Sequence, residues 1–244
     1  KGKKGARVHR GARGMTVFSA TDVSRWLLCV VLLVSCSHSV SEKASEAGEE
    51  GEAVLGVAIL SKSTNAEQRQ VLRDTWFQLP SVVNGSVYKR FFIARPEGAA
   101  LSALEAEAAK YGDITIIEQM EGYDNLPYQT MAGLKHFTQQ QKARFIVKAD
   151  DDVFVRTEVM HRYFKGLMEE YGPKSRVYMG WMVEGAKPHR NGKWAMTKAE
   201  FPGEEYPVYA SGPSYCLSRG LAAKVVKKAA KMKWIKLEDV GTGL

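Results

Sequence analysis

Three consecutive carboxylates, Asp150, Asp151 and Asp152, end the apolar run Phe145-Ile146-Val147-Lys148-Ala149 and precede a second apolar stretch, Val153-Phe154-Val155. Adjacent acids after a buried-type strand repel one another and lose hydration unless a cation sits among them. A hard divalent ion with oxygen ligands, Mn²⁺ or Mg²⁺, makes the arrangement favourable; a solvated acidic loop is the plain alternative. On a regular strand Asp150 and Asp152 share a face while Asp151 points the other way. Such a pair suits a metal that neutralises a nucleotide diphosphate, with the middle acid turned toward a supporting partner.

The elements that have to position these acids alternate along the chain. Apolar runs at 53–60, 87–94, 113–118, 144–149 and 177–180 read as strands. Periodic segments at 97–111, 127–141, 157–171 and 219–232 read as helices. Thr64 and Glu67 have the spacing of a capping box, with Thr64 as N-cap of a helix carrying Arg69, Arg73 and Trp76. Strands alternating with helices imply a mainly parallel sheet covered on both faces, with ligands at the carboxyl ends of its strands. The stretch 187–209, rich in Pro, Gly, Trp and charge, reads as a long functional loop or a β excursion.

The chain has 244 residues, 45% hydrophobic and 25% charged, which suits one folded domain behind an N-terminal extension. Much of the net charge of +8 comes from Lys1, Lys3, Lys4, Arg7, Arg10 and Arg13, with no acid among them. The nearly balanced remainder argues against a nucleic-acid partner. Residues 1–25 therefore read as a basic N-terminal segment. Residues 26–40, which include WLLCVVLLVSC, read as a signal anchor or signal peptide, with a lipobox-like Leu33-Val34-Ser35-Cys36 as a weaker alternative. Residues 41–52 read as an acidic stalk, because they hold too little apolar surface to fold. Of Cys29, Cys36 and Cys216, only Cys216 falls in the folded part, so no disulfide forms within it. Asn84-Gly85-Ser86 is an N-glycosylation sequon, relevant only to a lumenal domain.

Five stretches in order carry a family resemblance: Arg69-x-x-x-Arg73-x-Thr75-Trp76, Tyr123-x-Asn125-Leu126-x-x-x-Thr130, Lys148–Val155, Tyr206-Pro207-x-Tyr209-x-Ser211-Gly212-x-x-Tyr215-x-Leu217-Ser218, and Glu238-Asp239-Val240. Together they resemble the beta-1,3-galactosyltransferase and beta-1,3-N-acetylglucosaminyltransferase family, which includes Fringe. The Lys148-Ala149 form is most similar to the branch that adds galactose to galactose in proteoglycan linkers. The resemblance implies an α/β/α sandwich of GT-A type with a Rossmann-like sheet. It also implies inverting transfer from a UDP-sugar, most often galactose, to the 3-hydroxyl of a glycan acceptor in protein glycosylation. Carried over by residue, it makes Asp152 and Asp150 the metal ligands, with Asp150 also near the ribose. Arg69, Arg73, Asp151, Ser211 and Gly212 fall near the nucleotide sugar, Glu238 at the acceptor, and Asp239 is the general base. A carboxylate suits inversion, which needs one base opposite the leaving group and no covalent intermediate. The family context implies a single-pass type II Golgi membrane protein with a lumenal catalytic domain.

This sequence departs from the family pattern in three places. Gln129 stands where many members have lysine, and Pro213-Ser214 replaces a Gly-Gly pair. Members also run on beyond Glu-Asp-Val, so 53–244 reads as a catalytic domain whose C-terminal part is missing. Two rival functions are a non-catalytic glycan-binding relative and a Mg²⁺-dependent phosphotransferase. The first predicts loss of the acids or of Glu238-Asp239-Val240, and both are present. The second predicts a phosphate-binding Gly/Lys loop, and the sequence has no G-x-x-x-x-G-K-[ST].

Overall fold

Alternation in the strand Ala53–Ser61 sends Leu55, Val57 and Ile59 to one side and Ala58 and Leu60 to the other, and both sides are buried. A strand buried on both faces belongs at the centre of a sheet between two helix layers. The computed structural model describes residues 9–11, 15–18, 53–172, 176–229 and 235–243. The hydrophobic run expected at 26–40 and the acidic stalk at 41–52 lie outside the described residues. Among the described residues no helix is long and apolar enough to cross a membrane.

The strands are β1 (His9–Gly11), β2 (Met15–Phe18), β3 (Ala53–Ser61), β4 (Val87–Arg95), β5 (Ile114–Met120), β6 (Ala143–Asp150), β7 (Val177–Val183) and β8 (Tyr209–Ser218). They form one sheet in the order β1-β2-β7-β8-β6-β3-β4-β5. The β6-β3-β4-β5 block is parallel throughout, and β8 runs antiparallel to both β6 and β7. The helices are α1 (Ala66–Asp74), α2 (Pro80–Val83), α3 (Gly98–Tyr111), α4 (Leu126–Lys135), α5 (Thr157–Tyr171), α6 (Arg219–Ala229) and α7 (Glu238–Gly243). Leu72 of α1, Leu104 of α3 and Phe164 of α5 pack on one face of the sheet, Phe164 stacked on Phe145 with ring centroids 4.4 Å apart. Leu134 of α4 and Ala222 of α6 cover the other. The result is the mainly parallel sheet covered on both faces that the alternation implied, and the α/β/α sandwich that the family resemblance implied.

Several expected details differ. Thr64 and Glu67 do not form a capping box: Asn65 is the N-cap of α1, without a side-chain capping bond; its amide N–H donates to Asp151 and its Oδ1 accepts from the Thr64 hydroxyl. The helix expected at 127–141 stops at Lys135 and widens into a π-turn, His136–Gln140. The stretch 184–208 contains neither helix nor strand. It is tied down by Arg190, which donates to the carbonyls of Met196, Phe201 and Gly203 at 2.7, 3.1 and 2.9 Å. The central strand β8 was not evident from the pattern, because Pro213 interrupts it and proline cannot donate to a ladder. The structure resolves that conflict with a bulge. Pairing with β7 shifts between Gly180 and Met182, and pairing with β6 begins only at Ser214, so Pro213 needs no ladder bond. Cys216 is free and buried.

The topology also fixes where a ligand sits. The chain steps outward from β3 to β4 and β5, then returns to lay β6 against the other edge of β3. Sheets of this kind bind ligands at such a reversal, outside the carboxyl ends of the two strands. Here those ends are Ser61 and Asp150, since Leu60 pairs with Asp150.

Candidate active site

β6 ends at Asp150, and Asp151 and Asp152 occupy the turn that follows. Asp151 Oδ2 accepts hydrogen bonds from Ser61 Oγ at 2.6 Å and from Asn65 Nδ2 at 2.9 Å. Asp152 is exposed. Asp150 stays on the sheet face of Lys148, whose ammonium donates to Asp150 Oδ1 at 2.5 Å. Burial pushes the Asp150 carboxyl up, Lys148 pulls it down, and the charges of Asp152 and Asp151 push it up again, leaving it above its ordinary value.

Two hard carboxylates at an open strand end fit Mg²⁺ or Mn²⁺, which takes one or two protein acids and completes its shell with water and phosphate oxygens. Among the described residues no group of three or more His, Cys, Asp or Glu side chains is placed to hold a metal.

The second half of the site comes from β8 and α7. The β8 bulge points the carbonyl of Gly212 at Lys148 Nζ, 2.5 Å away. Lys148 is only 3% exposed, and its third partner is Glu238 Oε1 at 3.1 Å. Burial works against the ammonium, but Glu238 and Asp150 together outweigh it, so its pKa is raised and it stays charged. The other oxygen of Glu238 accepts from Thr130 Oγ1 at 3.0 Å and from the Tyr215 hydroxyl at 2.9 Å. Glu238, expected at the acceptor, is 6% exposed; its Oε2 takes both hydrogen bonds, and its Oε1 faces Lys148 as an ion pair without a hydrogen bond of its own.

Asp239, next in the chain, is half-buried. Its Oδ1 accepts from the Val240 N–H at 2.8 Å. Its Oδ2 lies against Gly212, close enough that a Cβ added there would sit 3.3 Å from it. Glycine at 212 thus keeps space in front of this carboxylate. Val240 anchors the short helix from below, in a satellite cluster with Met196, Tyr206 and Ile235. Ser211 and Gly212 are both partly exposed beside it.

Arg69 and Arg73 occupy a buried brace behind the acids. Arg69 donates to Ser61 Oγ at 3.0 Å, to the Lys62 carbonyl at 2.5 Å, and to both oxygens of Glu107. Ser61 accepts from Arg69 and donates to Asp151, so this guanidinium reaches the acids through one hydroxyl. Arg73 makes a two-point contact with Asp113 at 2.9 and 2.8 Å and a third with Glu107 at 2.8 Å. The donors of both arginines, expected at the nucleotide, are spent on protein acceptors. Gln129 is likewise buried, bonding the carbonyls of Ser61 and Phe92 at 2.9 and 3.1 Å. Trp76 is a core residue, whereas Trp181 and Trp194 are 60% and 51% exposed and are not core.

The structure therefore brings Asp150, Gly212 and Glu238 together around Lys148, with Asp239 against Gly212, and joins Asp151 to Arg69 through Ser61. Sequence reasoning assigned no role to Lys148, Ser61, Asn65, Thr130 or Tyr215. A signal existed for Lys148. A lysine inside an apolar strand, two residues before an acid on the same face, is almost never buried without a partner.

The galactosyltransferase family model matches residues 67–244. A hydroxyproline O-galactosyltransferase of Arabidopsis thaliana, GALT2, is 35% identical over 193 residues, covering 78% of this chain and 28% of that protein. A beta-1,3-galactosyltransferase of the same plant, GALT1, is 33% identical over 195 residues, covering 78% of this chain and 30% of that protein. Beta-1,3-galactosyltransferase 5 of Pan paniscus is 30% identical over 197 residues, covering 78% of this chain and 63% of that protein. The chain thus spans less than a third of the length of the two plant relatives.

Proposed function

The chain belongs to the galactosyltransferase family, and from that premise we propose that it transfers galactose from UDP-galactose to a hydroxyl of a glycan acceptor, with inversion. One observation carries this reading. Asp239 and the acidic end of β6, far apart in the chain, are joined in one site by the contacts of Lys148 with Asp150, Gly212 and Glu238.

In this reading Asp152 and Asp150 would hold a Mn²⁺ or Mg²⁺ ion, which would supply the positive charge that makes UDP a better leaving group. Asp151 steadies the turn through Ser61 and Asn65, while Arg69 and Arg73 brace it from behind. The open space at Gly212 lets the donor sugar approach the backbone. Asp239 accepts the proton of the acceptor hydroxyl. The acceptor oxygen forms its bond to the anomeric carbon as the bond to the diphosphate oxygen breaks, and UDP departs with the electron pair. The proton ends on Asp239, and no covalent sugar–enzyme bond is needed.

The same family premise extends to a lumenal Golgi site reached through the hydrophobic N-terminal run. The donor is tested by incubating the full chain with UDP-galactose, UDP-N-acetylglucosamine or UDP-N-acetylgalactosamine, with and without Mn²⁺. Galactose transfer that depends on the metal is the expected result. Absence of binding by every UDP-sugar in the presence of metal would overturn the reading.

A further inference from the structure

Lys148 bridges three pieces of chain that the β6–β8 ladder and the bonds of Tyr215 to Glu238 and Thr242 also join. Asp150 belongs to the end of β6, Gly212 to the bulge of β8, and Glu238 to α7. The Lys148 ammonium donates to Asp150 Oδ1 and to the Gly212 carbonyl at 2.5 Å each, and lies 3.1 Å from Glu238 Oε1 as an ion pair. Two of those contacts lie directly beside Asp239: Glu238 precedes it in the chain, and Gly212 faces its Oδ2. Thr130 and Tyr215 clamp the far oxygen of Glu238, so the carboxylate is held from both sides.

We propose that Lys148 is a positioning residue that fixes Asp239 relative to the acidic end of β6. It is too deeply buried to meet a substrate and acts through Glu238 and the Gly212 carbonyl. The charge cluster is not needed for stability as such. Removing one member of a buried ion group leaves the others unpaired and is strongly destabilising, whereas replacing partners together by neutral groups of similar shape is close to neutral. Stability and positioning are therefore separable in this cluster. The effect on rate rests on the transferase reading; the mechanical coupling does not.

The experiment compares the full chain with Lys148→Met and with Lys148→Met/Glu238→Gln. The double variant leaves only Asp150 charged, and that side chain is 40% exposed and can be hydrated. Thermal unfolding, amide exchange in the segments 209–215 and 235–243, and kcat and acceptor KM are measured on all three. The single variant is expected to lose stability and the double variant to regain it. Exchange in both segments of the double variant is expected to rise by about tenfold, because α7 and the bulge then open locally. Its kcat is expected to fall roughly 100-fold with little change in KM, as a misplaced base produces. A double variant with wild-type exchange and wild-type kcat overturns the proposal, and so does one that stays as unstable as the single variant. A wild-type chain that transfers no sugar removes the transferase reading instead, and exchange in the two segments still decides whether Lys148 couples them.

Discussion

Ser61 donates a 2.6 Å hydrogen bond to Asp151 Oδ2 across the junction where β3 and β6 end side by side. The same hydroxyl accepts from Arg69 Nη1 at 3.0 Å. One buried serine therefore connects the arginine brace to the acidic turn.

Ser61→Ala removes both bonds and leaves a buried guanidinium N–H without that acceptor. A lost buried partner costs about 1–3 kcal/mol. Urea unfolding is expected to show a loss in that range, and metal-dependent UDP binding, followed by calorimetry, should weaken several-fold because the turn loosens. A variant with wild-type stability and affinity would show that the hydroxyl connects nothing.

Glu107 gives the brace a pH dependence. Burial pushes its carboxyl up, but the bonds and charges of Arg69 and Arg73 outweigh this and hold it below its ordinary value of 4.5. A carboxyl depressed in the folded state adds stability that is fully present above its unfolded pKa and is lost as pH falls through the folded one. The difference in Tm between wild type and Glu107→Gln is thus expected to be widest near neutrality and to close as the pH drops below 4.5. A gap that grows toward acid would contradict the sign.

Gly133 of α4 lies against β3 so closely that an added Cβ would sit 2.6 Å from Ala58 Cβ. Alanine is the better helix former, yet overpacking a tight contact costs about 1–3 kcal/mol. Gly133→Ala is expected to lower Tm. A rise would mean that α4 shifts freely on the sheet.

The framework was legible because strand and helix periods persist where side chains are buried on defined faces, as in Leu55, Val57 and Ile59. The acids were legible because three carboxylates after such a strand need a cause. What local pattern cannot carry is the company a side chain keeps. Asn65 reads as a residue inside a capping box until Asp151, distant in the chain, claims its amide. Arg69 and Arg73 look like ligand-binding charges, and only the fold supplies Glu107 and Asp113. β8 was hidden for the opposite reason: the bulge that exempts Pro213 from pairing is a property of its neighbours, not of its own residues.

Asp152 is the exposed member of the acidic turn and the one free to face a bound ion. Asp152→Ala is expected to abolish the Mn²⁺-dependent part of UDP binding while leaving Tm nearly unchanged, since substitutions at exposed positions away from packed features stay within about 0.5 kcal/mol. Metal-dependent binding that survives the change would move the ion elsewhere.

Asp239 shares its site with Gly212, whose carbonyl accepts from Lys148. The most direct measurement is transfer of galactose from UDP-galactose by the Asp239→Asn variant, alongside its affinity for UDP and Mn²⁺. Asparagine keeps the shape and cannot accept the proton. The account predicts wild-type nucleotide affinity with transfer reduced by about 100-fold or more, the scale of a lost general base. Transfer at the wild-type rate would contradict it.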